Sequence, residues 1–179
     1  MKNLLGQFDF EKQFSKADLD AGKYDRYMQD LRDRQNIVAA LLGGVATAAV
    51  GAVLWAAMTY LSGYKFGIMA IFLGFLVGKV VLLVGRGVDI QFRIIGAVLA
   101  LISCLAGDGV AYCIALAKTQ GVSILSVFSQ VKSVGLIWFF KTIIDGGDLI
   151  FYGIAVYEGY MFSTRKLTPA DYTKIREMP

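Results

Sequence analysis

Asp108 is the side chain whose type and position most need a chemical account. It lies between Gly107 and Gly109 in the middle of a long apolar stretch. A carboxylate at that depth in hydrocarbon marks an ion or proton path, or a hydrogen-bonded structural tie, and either use requires a partner. The hydroxyls of Tyr112 and Tyr152 are the candidates, with a bound proton as a third way to neutralise it. Lys79 falls too near the other end of its own apolar block to reach. The structural tie is the preferred reading. A second polar group, Lys141, Asp145 and Asp148, brackets Gly146-Gly147. Lys141 and Asp145 stand at i, i+4, in the order that supports a helix less well. A helix break with Asp148 as the following cap is preferred to a pair of catalytic carboxylates.

Other chemistry has little to work with. The chain contains no histidine, so the usual general base is missing. Cys104 and Cys113 are nine residues apart in one apolar block. On a helix that is about 13.5 Å, beyond the roughly 7 Å between Cα atoms that a disulfide allows. They read as small buried thiols. Two cysteines without histidine do not complete a usual zinc site. The glycine-rich stretches match neither a phosphate loop nor a dinucleotide fingerprint. No catalytic residue, metal or cofactor is expected. The net charge of +4 is small and its basic residues are dispersed, which gives no nucleic-acid footprint.

The elements that must position these groups are membrane spans. Hydrophobic residues make up 56% of the 179, and the mean hydropathy is +0.58. Charged residues are 18%, against about a quarter in ordinary soluble domains. A span needs about 20 apolar residues. Such blocks run over about 37–61, 66–84 and 94–117, with a shorter one over 149–162. Between the last two, Val122 to about Thr142 reads as one or two interfacial or re-entrant amphipathic segments, where Trp138, Phe139 and Phe140 suit the headgroup level. The expected fold is all-α: an integral membrane four-helix bundle over 37–162. A helical lead-in occupies 1–36 and a tail 163–179. In the lead-in, Ser15-Lys16-Ala17-Asp18 resembles a capping box, and Tyr24, Tyr27, Met28 and Leu31 recur at helical spacing, in a helix that can run on into the first span. In the tail, Thr168 and Pro169 read as the cap and first residue of a short helix. The first apolar block starts only at Ile37, so a cleaved leader is not expected.

Small residues are spaced for helix packing. Ala40, Gly44, Ala48, Ala52 and Ala56 recur every four residues, and Ala70, Gly74 and Gly78 do so in the second block. Such rows let backbones approach closely in lipid. Packing within one subunit is the preferred use, with a subunit interface as the alternative.

Basic residues set the expected orientation. With four crossings, one side holds thirteen: seven before Ile37, then Arg86, Arg93, Arg165, Lys166, Lys174 and Arg176. The other side holds Lys65, Lys118 and Lys132. The positive-inside rule puts both termini in the cytoplasm.

Two segments carry a family likeness. One is Gly63-Tyr64-Lys65-Phe66-Gly67-Ile68-Met69-Ala70-Ile71 with Gly74-Phe75-Leu76-Val77-Gly78. The other is Asp148-Leu149-Ile150-Phe151-Tyr152-Gly153-Ile154-Ala155-Val156-Tyr157-Glu158-Gly159-Tyr160. Together they resemble a family of uncharacterised bacterial multi-spanning inner-membrane proteins, some of which carry an N-terminal zinc-ribbon-like segment. The resemblance spans about residues 37–163 and implies a bacterial inner (cytoplasmic) membrane, but no activity. This chain departs from the zinc-ribbon members in having no cysteine in its N-terminal segment, and it has Asp108 where such a family is expected to carry a neutral amide.

The function expected from the sequence is non-enzymatic. The chain would act as a structural or assembly subunit of a larger membrane complex, with the lipid bilayer and other membrane subunits or further copies of itself as partners. The alternative is a small channel or transporter subunit using Asp108 and the broken region around 141–148. A lipid-modifying enzyme working at Asp145 and Asp148 is a weaker third.

Overall fold

The computed structural model describes residues 20–63, 67–144 and 146–179. These residues form eight helices and no strand: α1 (Ala21–Asp33), α2 (Ile37–Ser62), α3 (Gly67–Gly85), α4 (Ile90–Gln120), α5 (Ile124–Val134), α6 (Leu136–Ile143), α7 (Gly146–Phe162) and α8 (Pro169–Glu177). The chain divides into two compact units, one of Asn36–Thr164 and one of the flanking segments.

In the larger unit, α2, α3 and α4 are each long and apolar enough to cross a membrane. Asn36 starts α2 by accepting the Ala39 amide at 2.9 Å, so α1 and α2 are separate helices. The small residues of α2 lie on its buried stripe with Gly51 and Trp55. Larger residues such as Val38, Leu42, Val53 and Leu61 are exposed. A helix that is apolar all round but buries only its small side is arranged for close packing with lipid on its outer face.

Contacts along the helices fix their directions. A Cβ built on Gly44 would lie 2.4 Å from Leu99 Cδ1, and one on Gly107 would lie 2.7 Å from Trp55. Helices α2 and α4 therefore run parallel. Gly43 faces Val80 and Val84 while Gly51 faces Leu73, so α3 runs back along α2. Gly74 meets Ala155 and Gly78 meets Phe162, making α7 parallel to α3. Gly96 packs on Gly159, where a Cβ would come 2.5 Å from the facing carbonyl oxygen. The same pair of helices meets again at Asp108 and Tyr152, so α7 is antiparallel to α4.

Helix α4 is longer than the sequence pattern predicts, beginning at Ile90 instead of about residue 94 and ending at Gln120. Gly121 ends it in the left-handed conformation, with φ of 66°. The 122–142 stretch forms two helices, joined at Gly135, whose φ of 98° suits glycine alone. They pack beside the last part of α4, where Cys113, Ala117, Val127 and Phe139 form a second apolar cluster. Phe139, expected at the headgroup level, is buried there, edge-on to Tyr112 with ring centroids 5.7 Å apart.

The long final apolar run is broken, but not at the two glycines. Ile144 lies outside both helices, and Gly146 and Gly147 open α7. Asp148 is consequently a first-turn residue of α7 and not its N-cap, a place still favourable to negative charge. At 17 residues, α7 is about 25 Å long, short of the roughly 30 Å hydrocarbon core.

The smaller unit joins what the sequence presents as separate ends. Helix α1 is capped by Asp20, which accepts the Gly22 and Lys23 amides at 2.8 and 3.3 Å. Tyr27 and Leu31, one turn apart, are its buried residues. Tyr27 donates to Asp171 at 2.6 Å, and Lys23 Nζ donates to the Met178 carbonyl. Thr168 donates to the other Asp171 oxygen through its amide and its hydroxyl, both at 2.8 Å. This is the cap expected before Pro169. Arg165 completes the cluster at 2.5 Å. Burial alone would raise the Asp171 pKa, but the bonds from Tyr27 and Thr168 and the nearby guanidinium hold it below the ordinary 3.8. The Ser15–Asp18 pattern and the turn residues Tyr64 and Lys65 lie outside the described residues.

Candidate functional site at Asp108

Asp108 is 3% exposed and lies a little past the middle of α4. Its Oδ1 accepts the indole N–H of Trp55 at 2.9 Å. Its Oδ2 accepts the hydroxyl of Tyr152 at 2.5 Å. One carboxyl thus links three helices: its own, α2 through Trp55, and α7 through Tyr152. Local sequence explains the approach. Gly107 has no side chain, so the Trp55 ring packs directly on the α4 backbone, with its N–H aimed at the next residue. A hydrogen bond in which one partner is a carboxylate is stronger than a neutral one.

Weaker polar links follow the same pattern. Ser103 donates to the Ala48 carbonyl at 2.9 Å, joining α4 to α2 two turns before Trp55. Just beyond the end of α7, Ser163 donates back to the Gly159 carbonyl at 2.5 Å, and Gly96 packs against it. Arg93 donates to Thr164 at 3.0 Å and lies over the Tyr160 ring, 5.3 Å from its centroid. Among the described residues, every buried side-chain nitrogen and oxygen has a partner.

A cavity of about 420 Å³ opens beside Asp108. It lies between the C-terminal parts of α2 and α4, with Thr59, Ala111, Tyr112, Ala115 and Ile143 among its walls. Lys118 also lines it and lies over the Tyr60 ring, 5.6 Å from its centroid.

The residues singled out in the sequence separate into three groups. Asp108 and Asp148 are both buried; Asp148 stands one turn before Tyr152 on α7. Lys141 is exposed on α6, and Asp145 lies outside the described residues. Ala40, Gly44, Ala48 and Ala52 are buried, while Gly74 and Gly78 are the points where α3 meets α7. Lys79 is placed over the rings of Phe75 and Phe162, at 5.7 and 5.6 Å, away from Asp108. Tyr152 was one of two sequence candidates to partner Asp108; Trp55 was not foreseen. Its signal was available, because Trp55 lies three residues after Ala52, beside the row that Ala56 continues, and is the one large side chain on the buried stripe. Among the described residues, no group of three His, Cys, Asp or Glu side chains is placed to share a metal ion.

Comparison with family models, curated proteins and solved structures gives no match. The likeness to the bacterial multi-spanning proteins therefore rests on the two sequence motifs alone.

Proposed function

We propose that this chain is a non-enzymatic integral membrane protein that serves as a structural or assembly subunit of a larger membrane complex. In this reading α2, α3, α4 and α7 all cross a bacterial inner membrane, α5 and α6 lie at one interface, and both termini are cytoplasmic. The observation that carries the reading is the engagement of Asp108. The one group with obvious chemical promise uses both oxygens to hold neighbouring helices. The small-residue rows are likewise taken up within the chain. A packed core with a mostly apolar outer face, including Leu149, Ile150 and Tyr157 on α7, suits a subunit that other membrane proteins pack against.

A second reading, a small channel or transporter subunit, draws support from the cavity reaching Asp108. Asp108→Asn separates the two, since it keeps size and most hydrogen bonding but removes the titratable proton. For a structural subunit, the variant assembles normally and proteoliposomes of either form show no pH-driven flux. Flux by the natural protein, lost in a correctly assembled variant, would replace the first reading with the second.

A further inference from the structure

The cavity beside Asp108 has a carboxyl side chain at one end and an amine side chain at the other. Asp108 is at one end, deep between the helices. Lys118 is at the other, near the end of α4. Ten residues of helix separate them, about 15 Å along the axis. Between them the walls are mostly apolar or aromatic, formed by Ala111, Tyr112, Ala115 and Ile143, with Thr59 as a polar side chain among them. The Lys118 ammonium rests on the Tyr60 ring, which holds a positive charge at the mouth. A pocket of this size and composition falls in the range used by small ligands, whose few polar contacts fix orientation.

This distribution argues against simple ligands. A plain cation suits Asp108 but must pass Lys118. A plain fatty acid suits Lys118 but drives its apolar end onto a carboxyl. An uncharged apolar molecule gains nothing from either polar end. We propose that the cavity binds a bipolar amphiphile: an amine directed at Asp108, an apolar middle along Ala111 and Ala115, and an anionic group at Lys118. The amine adds to the bonds from Trp55 and Tyr152, because a carboxylate offers about four lone-pair sites. This site goes beyond the structural role and does not depend on it; a scaffold can carry a ligand, and a scaffold without one remains a scaffold.

The test uses the full chain in lipid nanodiscs at neutral pH, with three probes of equal carbon number: aminooctanoate bearing its amine at the far end, octanoate and octylamine. Calorimetric titration gives each affinity. A charge-assisted bond at each end predicts that aminooctanoate binds roughly tenfold or more tightly than either single-ended probe. Ala115→Trp fills the cavity and abolishes that difference. Lys118→Gln removes the preference over octylamine, and Asp108→Asn removes the preference over octanoate. Equal affinities for the three probes overturn the proposal. So does an unchanged preference in Ala115→Trp, which measures partition into lipid and not occupancy. The Lys118 and Ala115 variants decide the matter even where Asp108→Asn does not fold.

Discussion

Tyr152→Phe removes a single hydroxyl from the interior and leaves the ring in place. Because that hydroxyl donates to Asp108, the variant should lose about 1 kcal/mol, the scale measured for interhelical hydrogen bonds in membranes. Unfolding in mixed detergent micelles reads this directly. Asp108→Leu should cost more, because it leaves both the Trp55 indole and the Tyr152 hydroxyl buried without an acceptor; Asp108→Asn, which retains acceptor capacity, should lie between. A reversed order, with Leu milder than Asn, would contradict the role given to this carboxyl. The Asp171 cluster makes a separate prediction. Its folded pKa lies below the ordinary 3.8, so its contribution is present above that value and is lost as pH falls through the depressed folded value. Amide protection in α1 and α8 should therefore decline only in strong acid. Asp171→Asn should lower protection at neutral pH and flatten that acid dependence. Equal protection in the two forms at neutral pH would discard the cluster as a support.

Among elements, the glycines distinguish packing from mere absence of bulk. A Cβ at Gly74 would lie 2.4 Å from the Ala155 carbonyl oxygen, a backbone atom that cannot turn aside. Gly74→Ala should cost about 1–3 kcal/mol by forcing α3 and α7 apart. Gly153, on the exposed side of α7, has open space at the same point; Gly153→Ala should be neutral or gain up to about 1 kcal/mol of helix propensity. Thermal denaturation of the two variants in one detergent checks the contrast, and similar losses from both would refute the α3–α7 assignment. The helices were legible in the sequence because apolar length and cap chemistry are local signals: the apolar block from Ile37 forms α2, and Thr168 and Pro169 start α8. The four-residue row in α2 could be read as a packing stripe, since small size at that spacing has few other uses. The site was half legible. A carboxyl amid apolar residues points to itself, but its partners are set by how helices 53 and 44 residues away are turned, and no local signal encodes that. The pairing of α1 with α8 was hidden for the same reason. The position of the break was misread because glycine propensity alone suggests an interruption at Gly146-Gly147, whereas the first turn of a helix tolerates residues that its interior does not.

At the scale of the whole molecule, three helices are long and apolar enough to cross a membrane, and the proposed topology adds α7 as a fourth crossing. Cysteine substitution tests this against an odd count. Arg86→Cys and Lys174→Cys should be labelled from the cytoplasmic face and Lys118→Cys from the other. The natural thiols, both buried, should give little background. Labelling of positions 86 and 174 from opposite faces would remove the even topology. The central claim concerns company, and it is tested most directly by the mass of the particle released from native membranes in a mild detergent. The account predicts a defined assembly heavier than one 19.5 kDa chain, containing further copies or other membrane proteins in fixed ratio. A particle of one chain and lipid, stable at native abundance, would contradict it.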